Sequence, residues 1–317
     1  MTKRQRTEAI QGFMFISPWM IGFLCFALGP VIFSLCLSFC KWDILTPIQF
    51  VGIKNYAKMA QDPLIRKSLA NTLYYAAFAI PLGMCGALGA ALLLNQKMKA
   101  MRLFRTLFYV PAVTGGVATF MLWSWIFNPE IGLLNRTLRH LMPHHAIQVP
   151  WLDFSHGIAI KYVSFLPHPP GWLSDPAWAM PALIIMALWG VGSGMLIYLA
   201  GLQGIPEELY EAALLDGANA RQKFRYVTIP MLSPTIFFNL IMSIIGSFQV
   251  FAAAFVMTGG SGDPANSTLF YVLYLFQNAM MYFRMGYASA MAWLLFIIIL
   301  SLTLVQLRLS KRWVHYQ

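Results

Sequence analysis

Six stretches of this chain carry no Asp, Glu, Lys or Arg and are long enough to cross a bilayer: Phe13–Phe39, Leu69–Leu94, Leu107–Phe127, Trp178–Ala200, Ser233–Met257 and Met285–Leu307. A spanning helix needs about 20 predominantly apolar residues. Trp19, Tyr109 and Trp178 fall toward the ends of these stretches, where an aromatic belt would place them. The pattern predicts an all-α integral membrane protein with six transmembrane helices in one transmembrane domain. A seventh charge-free stretch, Asn266–Phe283, starts polar and contains Gln277 and Asn278. It reads as a short helix packed near the outer surface.

Between the fourth and fifth stretches lies a polar island, residues 203–232. Pro206, Glu207 and Glu208 suit the first turn of a helix, where proline loses no hydrogen bond and carboxylates meet the positive end of the dipole. Glu211 to Leu215 continue it as good helix formers. Gly217 ends it as a C-cap. A second short helix is expected from Arg221 to Tyr226, with Pro230 and Pro234 leading into the next apolar stretch. A helix–turn–helix at the membrane surface results.

Composition supports the membrane reading. Apolar residues make up 59% of the chain and charged residues 10%, against about a quarter charged in soluble domains. Six spans put Lys3, Arg4, Arg6, Lys97, Lys99, Arg102, Arg105, Arg221, Lys223, Arg225, Arg308, Lys311 and Arg312 on one side, 13 of the 22 basic residues. The positive-inside rule makes that side, and both termini, cytoplasmic. A seventh span would put the two basic termini on opposite faces. The net charge of +11 follows from this bias and from attraction to acidic lipid; no basic face with interleaved aromatics points to nucleic acid. The apolar run from Phe13 is too long for a signal-peptide core and reads as an uncleaved first span. Cys25, Cys36, Cys40 and Cys85 lie in or beside spans, with Cys36 and Cys40 on one helix face, and read as packing residues.

Within the island, Glu211-Ala212-Ala213, three residues, Gly217, nine residues, then Val227, Ile229 and Pro230 resembles the EAA signature of permease subunits of binding-protein-dependent ABC importers. Val227 stands for the family's Ile and Ile229 for its Leu. Val51-Gly52-Ile53-Lys54-Asn55-Tyr56 resembles a box that follows the first span in sugar permeases, and Thr258-Gly259-Gly260 resembles their TGGGP turn. The chain is thus similar to the maltose-type and glycerol-phosphate-type permeases from its first span to its basic tail. The resemblance implies a type I importer permease in the bacterial inner membrane, with residues 203–232 as the coupling loop and Glu211, Ala212, Ala213, Gly217 and Pro230 meeting an ATPase. It implies as partners a second homologous permease subunit, two cytoplasmic ATPase subunits that bind ATP and Mg, and an extracytoplasmic solute-binding protein.

The chain itself has no GxxxxGK[ST] phosphate loop and no Gly-Lys dipeptide, so it binds no nucleotide through that motif and is expected to be non-catalytic and to carry no cofactor of its own. Solute contacts are expected from polar and aromatic residues inside the spans, which are costly there unless they line a cavity or pair between helices. Trp189, Ser193, Ser243, Ser247 and Gln249 are the candidates, and helix–helix hydrogen bonding is their alternative role. Hydroxyls, an amide and an aromatic face suit a saccharide; a glycerol phosphate ester is the alternative solute. No ionisable residue sits in a span, against an ion-coupled carrier, and all six histidines lie outside the spans, against an intramembrane enzyme. His140, His144 and His145 lack a Cys or carboxylate to complete a metal set, and Pro143 would break a helix between them, so no metal site is expected. The insertion Asn128–Ala177, punctuated by prolines, is either a docking surface or a packed loop.

Overall fold

The computed structural model describes residues 3–96, 99–141, 147–153, 159–165 and 170–315. In chain order the elements are α1 (Lys3–Gly22), α2 (Gly29–Ser38), β1 (Cys40–Lys41), β2 (Gln49–Phe50), α3 (Lys54–Gln61), α4 (Pro63–Leu94), α5 (Met101–Val113), α6 (Val117–Ile126), α7 (Leu133–Leu141), β3 (Ile147–Asp153) and β4 (Ala159–Phe165). They continue with α8 (Pro176–Leu188), α9 (Gly192–Gln203), α10 (Glu207–Leu215), α11 (Ala220–Lys223), α12 (Ile229–Phe248), α13 (Ala252–Met257), α14 (Tyr271–Phe276) and α15 (Met285–Ser310). The chain is helical, as expected, except for two antiparallel hairpins that an all-α reading omits. One pairs Cys40 with Phe50; the other pairs Ile147 with Phe165 through to Asp153 with Ala159, inside the 128–177 insertion.

Among the described residues, four helices are long and apolar enough to cross a membrane: Arg4–Ser38, Pro63–Leu94, Ala220–Phe248 and Met285–Ser310. The third and fourth expected spans depart from single rods. Residues 107–127 belong to α5 and α6, which meet at 99°, and residues 178–200 to α8 and α9, which meet at 44°. Gly116, at φ +91°, supplies the first corner. The fifth, 233–257, is also divided: α12 ends at Phe248 and α13 is separate, packed against α6. The short helix expected at 221–226 is instead the start of one long helix, because α11 runs through a π-helical turn, Phe224–Thr228, into α12. Residues 271–281 form a short helix that is not among the helices of spanning length.

Prolines explain two of the π-helical turns. Pro30 and Pro230 each follow one, at Phe23–Leu28 and Phe224–Thr228. A proline ring collides with the carbonyl four residues back in a regular helix. The widened turn hands the preceding N–H one residue further back, Gly29 to Leu24 and Ile229 to Phe224, and makes room for the ring.

The chain divides into two compact units, Met1–Ile65 with Leu275–Ile298, and Arg66–Tyr274 with Ile299–Gln317. In the first, the Val51–Tyr56 box closes the end of α2. Asn55 Nδ2 donates to the Ser38 and Cys40 carbonyls at 2.8 and 2.9 Å, and Tyr56 Oη donates to Ser38 Oγ at 2.9 Å. The bond to the Ser38 carbonyl satisfies an acceptor that the helix end leaves open. Gly52 makes the turn at φ +60°. Because α2 stops at Ser38, Cys40 lies on β1 and shares no helix face with Cys36. Cys25, Cys36 and Cys85 are exposed free thiols, so they do not pack a core within the chain.

The second unit is organised around α9. Its glycines let three helices approach closely. A Cβ at Gly192 would collide with the Phe108 carbonyl of α5; one at Gly194 would meet Ala87 Cβ of α4 at 3.1 Å; one at Gly201 would lie 2.8 Å from Thr235 Oγ1 and 2.9 Å from Leu232 Cδ2 of α12. Around these contacts Ala87, Ala90, Ala91, Met195, Tyr198, Leu199, Leu202 and Leu232 form a buried cluster. Small residues at helix crossings are how apolar helices pack in a bilayer, where burial of apolar surface gives no drive. The tail after α15 returns to α12: Trp313 meets the Phe237 ring edge-on at 6.0 Å, and the His315 N–H donates to Ser233 Oγ at 2.9 Å.

Candidate functional site

The polar island sits on the α9 cluster. Tyr210 and Val227 pack against its buried residues, and Tyr210 Oη lies 3.0 Å from Thr228 Oγ1, tying the island's first helix to the base of α12. Helix α10 opens after Pro206 with Glu207 and Glu208 in its first turn. It closes in a Schellman turn: the Gly217 N–H donates to the Leu214 carbonyl at 3.0 Å and the Ala218 N–H to the Ala213 carbonyl at 2.9 Å. That turn needs a left-handed residue at its pivot, and Gly217 has φ +77°. The next helix starts in a capping box. Asn219 Oδ1 accepts from the Gln222 N–H at 2.9 Å, and Gln222 Oε1 accepts from the Asn219 N–H at 2.8 Å.

Every turn of the island is therefore fixed, yet its outward face is bare. Glu211, Ala212 and Gly217 are exposed and Ala213 and Pro230 half-buried. Leu215 is 91% exposed, Tyr226 70% and Leu214 57%. Large apolar side chains held rigidly in water, rimmed by charge, are the mark of a protein-contact surface. The sequence placed the turn and the acidic first helix. It did not single out Leu214, Leu215 and Tyr226, which a search for apolar residues inside a polar island would have found.

The solute-path candidates divide into two groups. Ser243 lines two adjoining cavities of about 150 and 190 Å³, and Ser247 lines the second. Gly83, Met84 and Ala187 line both, joined by Tyr198 and Asn239 in one and Tyr75 in the other. Trp189, Ser193 and Gln249 line neither and lie on exposed surface. Trp189 caps α8 at the 44° corner, its ring edge-on to Trp123 at 5.8 Å. Asn239 was missed. It stands four residues before Ser243 on α12, and Ser247 four after, so the three form one polar stripe along the helix. An amide in a charge-free span, as with Gln249, was the available signal. Asn239 Nδ2 donates to the Thr235 carbonyl at 3.1 Å and Ser247 Oγ to the Ile244 carbonyl at 2.9 Å. Ser243 makes no hydrogen bond among the described residues, which leaves its hydroxyl to the cavities. His144 and His145 lie outside the described residues, as does the side chain of His140.

Membrane-length helices, uncharged cavities between them and a surface helix with bare apolar residues are the make-up of a transport permease. Residues 79–315 match the family described as binding-protein-dependent transport system inner membrane component, and the chain belongs to it. Among its relatives is a probable ABC transporter permease protein of Bacillus subtilis (strain 168), YesP, 40% identical over 98% of this chain and 94% of that protein. The lactose transport system permease protein LacF of Rhizobium radiobacter is 32% identical over 95% of this chain and 94% of its own. The fold is that of a chain in a bacterial alginate ABC transporter solved with an alginate pentasaccharide-bound periplasmic protein, with a TM-score of 0.79 at 20% identity over 98% of this chain and 96% of that one.

Proposed function

We propose that this chain is the membrane permease of an ATP-driven importer, taking a sugar or oligosaccharide from an extracytoplasmic binding protein into the cytoplasm. The observation that carries the reading is the island: a surface helix closed by a Schellman turn that presents Leu214, Leu215 and Glu211 outward and is anchored inward on the helices that line the cavities. A push on α10 reaches α12 through Tyr210 and Thr228, so a cytoplasmic ATPase closing on this surface would move the polar stripe. Rigid-body transmission of that kind needs packed elements with two arrangements. ATP and Mg belong to two ATPase subunits, and the cavities are completed by a second homologous permease. LacF, named for lactose, and the alginate transporter support a saccharide as the cargo. Copurification tests the reading directly: an ATPase and a second permease should remain bound to the tagged chain, and their absence with an active chain would refute it.

The reading places both termini in the cytoplasm. In a background without the four native cysteines, Gln222→Cys and Lys311→Cys should resist an impermeant thiol reagent in intact cells, while Thr137→Cys and Ser261→Cys should react. Reaction at both Lys311→Cys and Ser261→Cys, with Gln222→Cys still protected, would show that residues 266–283 span.

Solute contacts on the stripe have a modest expected size. Loss of one hydrogen bond is worth about 0.5–1.5 kcal/mol, so Ser243→Ala, Ser247→Ala and Asn239→Ala should each weaken uptake several-fold, with the binding protein still loaded and the ATPase still attached. Trp189, Ser193 and Gln249 contribute to the path only where the second permease closes it over them. Wild-type uptake by all three stripe variants across solute concentrations would move the site to the partner subunit.

A further inference from the structure

Transport as proposed leaves one cavity unused. About 900 Å³ of open space lies where the end of α4, the start of α5 and the start of α10 come together. Lys99, Arg102 and Arg105 line it, with Gln203, Glu207 and Tyr210. Arg105 is fixed in place: its Nε and Nη2 donate to the Leu94 carbonyl at 3.3 and 3.0 Å, capping α4. The Lys99 and Arg102 side chains are exposed and form no ion pair or hydrogen bond among the described residues. Three cations thus face one carboxylate, that of Glu207, which leaves the cavity positive.

The helix that carries Arg102 and Arg105 is apolar between and beyond them. Leu103 and Leu107 of α5 are 58% and 56% exposed, and Phe104 and Phe108 are also exposed. A basic cavity whose cations stand on the same helix as bare apolar side chains has the chemistry of a two-part ligand, an anionic head on a hydrocarbon tail. Basic pockets between membrane helices take lipid phosphates in this way, and Arg is suited to phosphate oxygens by its paired donors. We propose that this cavity binds the headgroup of an anionic phospholipid, whose acyl chains lie along the exposed apolar residues of α5. Because Glu207 and Tyr210 belong to α10, a bound headgroup braces the start of the surface helix. That link to coupling rests on the function proposed above; lipid binding does not.

Native mass spectrometry of the purified, delipidated full chain tests binding with phosphatidylglycerol, phosphatidylcholine and inorganic phosphate as probes. Phosphatidylglycerol should be retained in preference to phosphatidylcholine. The double variant Lys99→Gln/Arg102→Gln should bind it roughly thirtyfold more weakly, and Arg308→Gln/Lys311→Gln, which removes the same charge elsewhere, should bind it like the wild type. All four side chains are exposed, so folding is not at risk. Equal retention of the two lipids, or equal loss in both double variants, would overturn the proposal. Displacement of the lipid by millimolar inorganic phosphate would make the site a free-phosphate site and also overturn it. So would loss of the lipid on adding the ATPase, which would give the cavity to the protein partner. None of these outcomes depends on whether transport occurs, so failure of the lipid site and failure of the importer reading remain distinct.

Discussion

Gly217→Leu is expected to abolish transport while the chain still inserts and still pairs with its second permease. The reason is conformational. Gly217 sits at φ +77° with no heavy atom within 4 Å of where a Cβ would be, so no collision occurs. A side chain in the left-handed region costs about 1–2 kcal/mol. That is too little to pull Tyr210 and Val227 off the buried cluster, but enough to open the Schellman turn and shift Leu214 and Leu215. Asparagine tolerates this conformation, so Gly217→Asn should keep most of the activity. If asparagine is as damaging as leucine, bulk at the contact rather than backbone shape is the cause. Glu211→Lys should have the same outcome by another route, because it reverses an exposed charge on the contact face without touching the turn. Both defective variants should show lost or uncoupled ATP hydrolysis in the purified complex. Wild-type transport and normal stimulation of the ATPase in both would remove this loop from coupling.

The second large effect is expected at Gly192, and it is a loss of assembly. A Cβ there would collide with the Phe108 carbonyl oxygen, which belongs to backbone and cannot swing away. Overpacking of this kind costs about 1–3 kcal/mol or more, and the displaced partner is α5, which packs along α9. Gly192→Val should therefore lower the thermal stability of the purified chain by several degrees and cut the yield of monodisperse protein. Gly89→Ala is the control. It lies in α4 with open space around its Cβ position, and in a helix interior alanine is favoured over glycine by roughly 0.5–1 kcal/mol. It should be neutral or stabilising. Equal behaviour of the two variants would mean that α5 and α9 do not meet through Gly192.

The two glycines show what a single sequence reveals and what it hides. Gly217 follows a run of helix formers and precedes a fresh capping residue, so its role as a stop is written within a few neighbouring positions. Gly192 stands in an apolar run that also contains Gly190 and Gly194, and nothing nearby says which of them touches another helix. Its partner, Phe108, is far away in the chain. The same limit explains the solute candidates. Ser243 and Ser247 were legible as hydroxyls in a charge-free stretch, but Asn239 joined them only when α12 was seen to turn that stripe toward α4 and α8. Trp189, chosen for its ring, lies instead on exposed surface at a corner.

Charge and hydropathy by themselves determined the membrane class, the six apolar stretches and the position of the surface loop. Ionised groups are excluded from hydrocarbon one residue at a time, so their absence marks a span wherever it is long enough. Local backbone rules likewise determined the cap at Gly217 and the acidic first turn of α10. The tertiary structure alone decided that two of the stretches are bent, that the fifth ends at Phe248, and that α9 is the hub on which three helices meet. It also decided which polar residues share a cavity. Those outcomes depend on how closely backbones from distant parts of the chain approach, and on the glycines and alanines that permit it, a fit between surfaces that hydropathy does not encode.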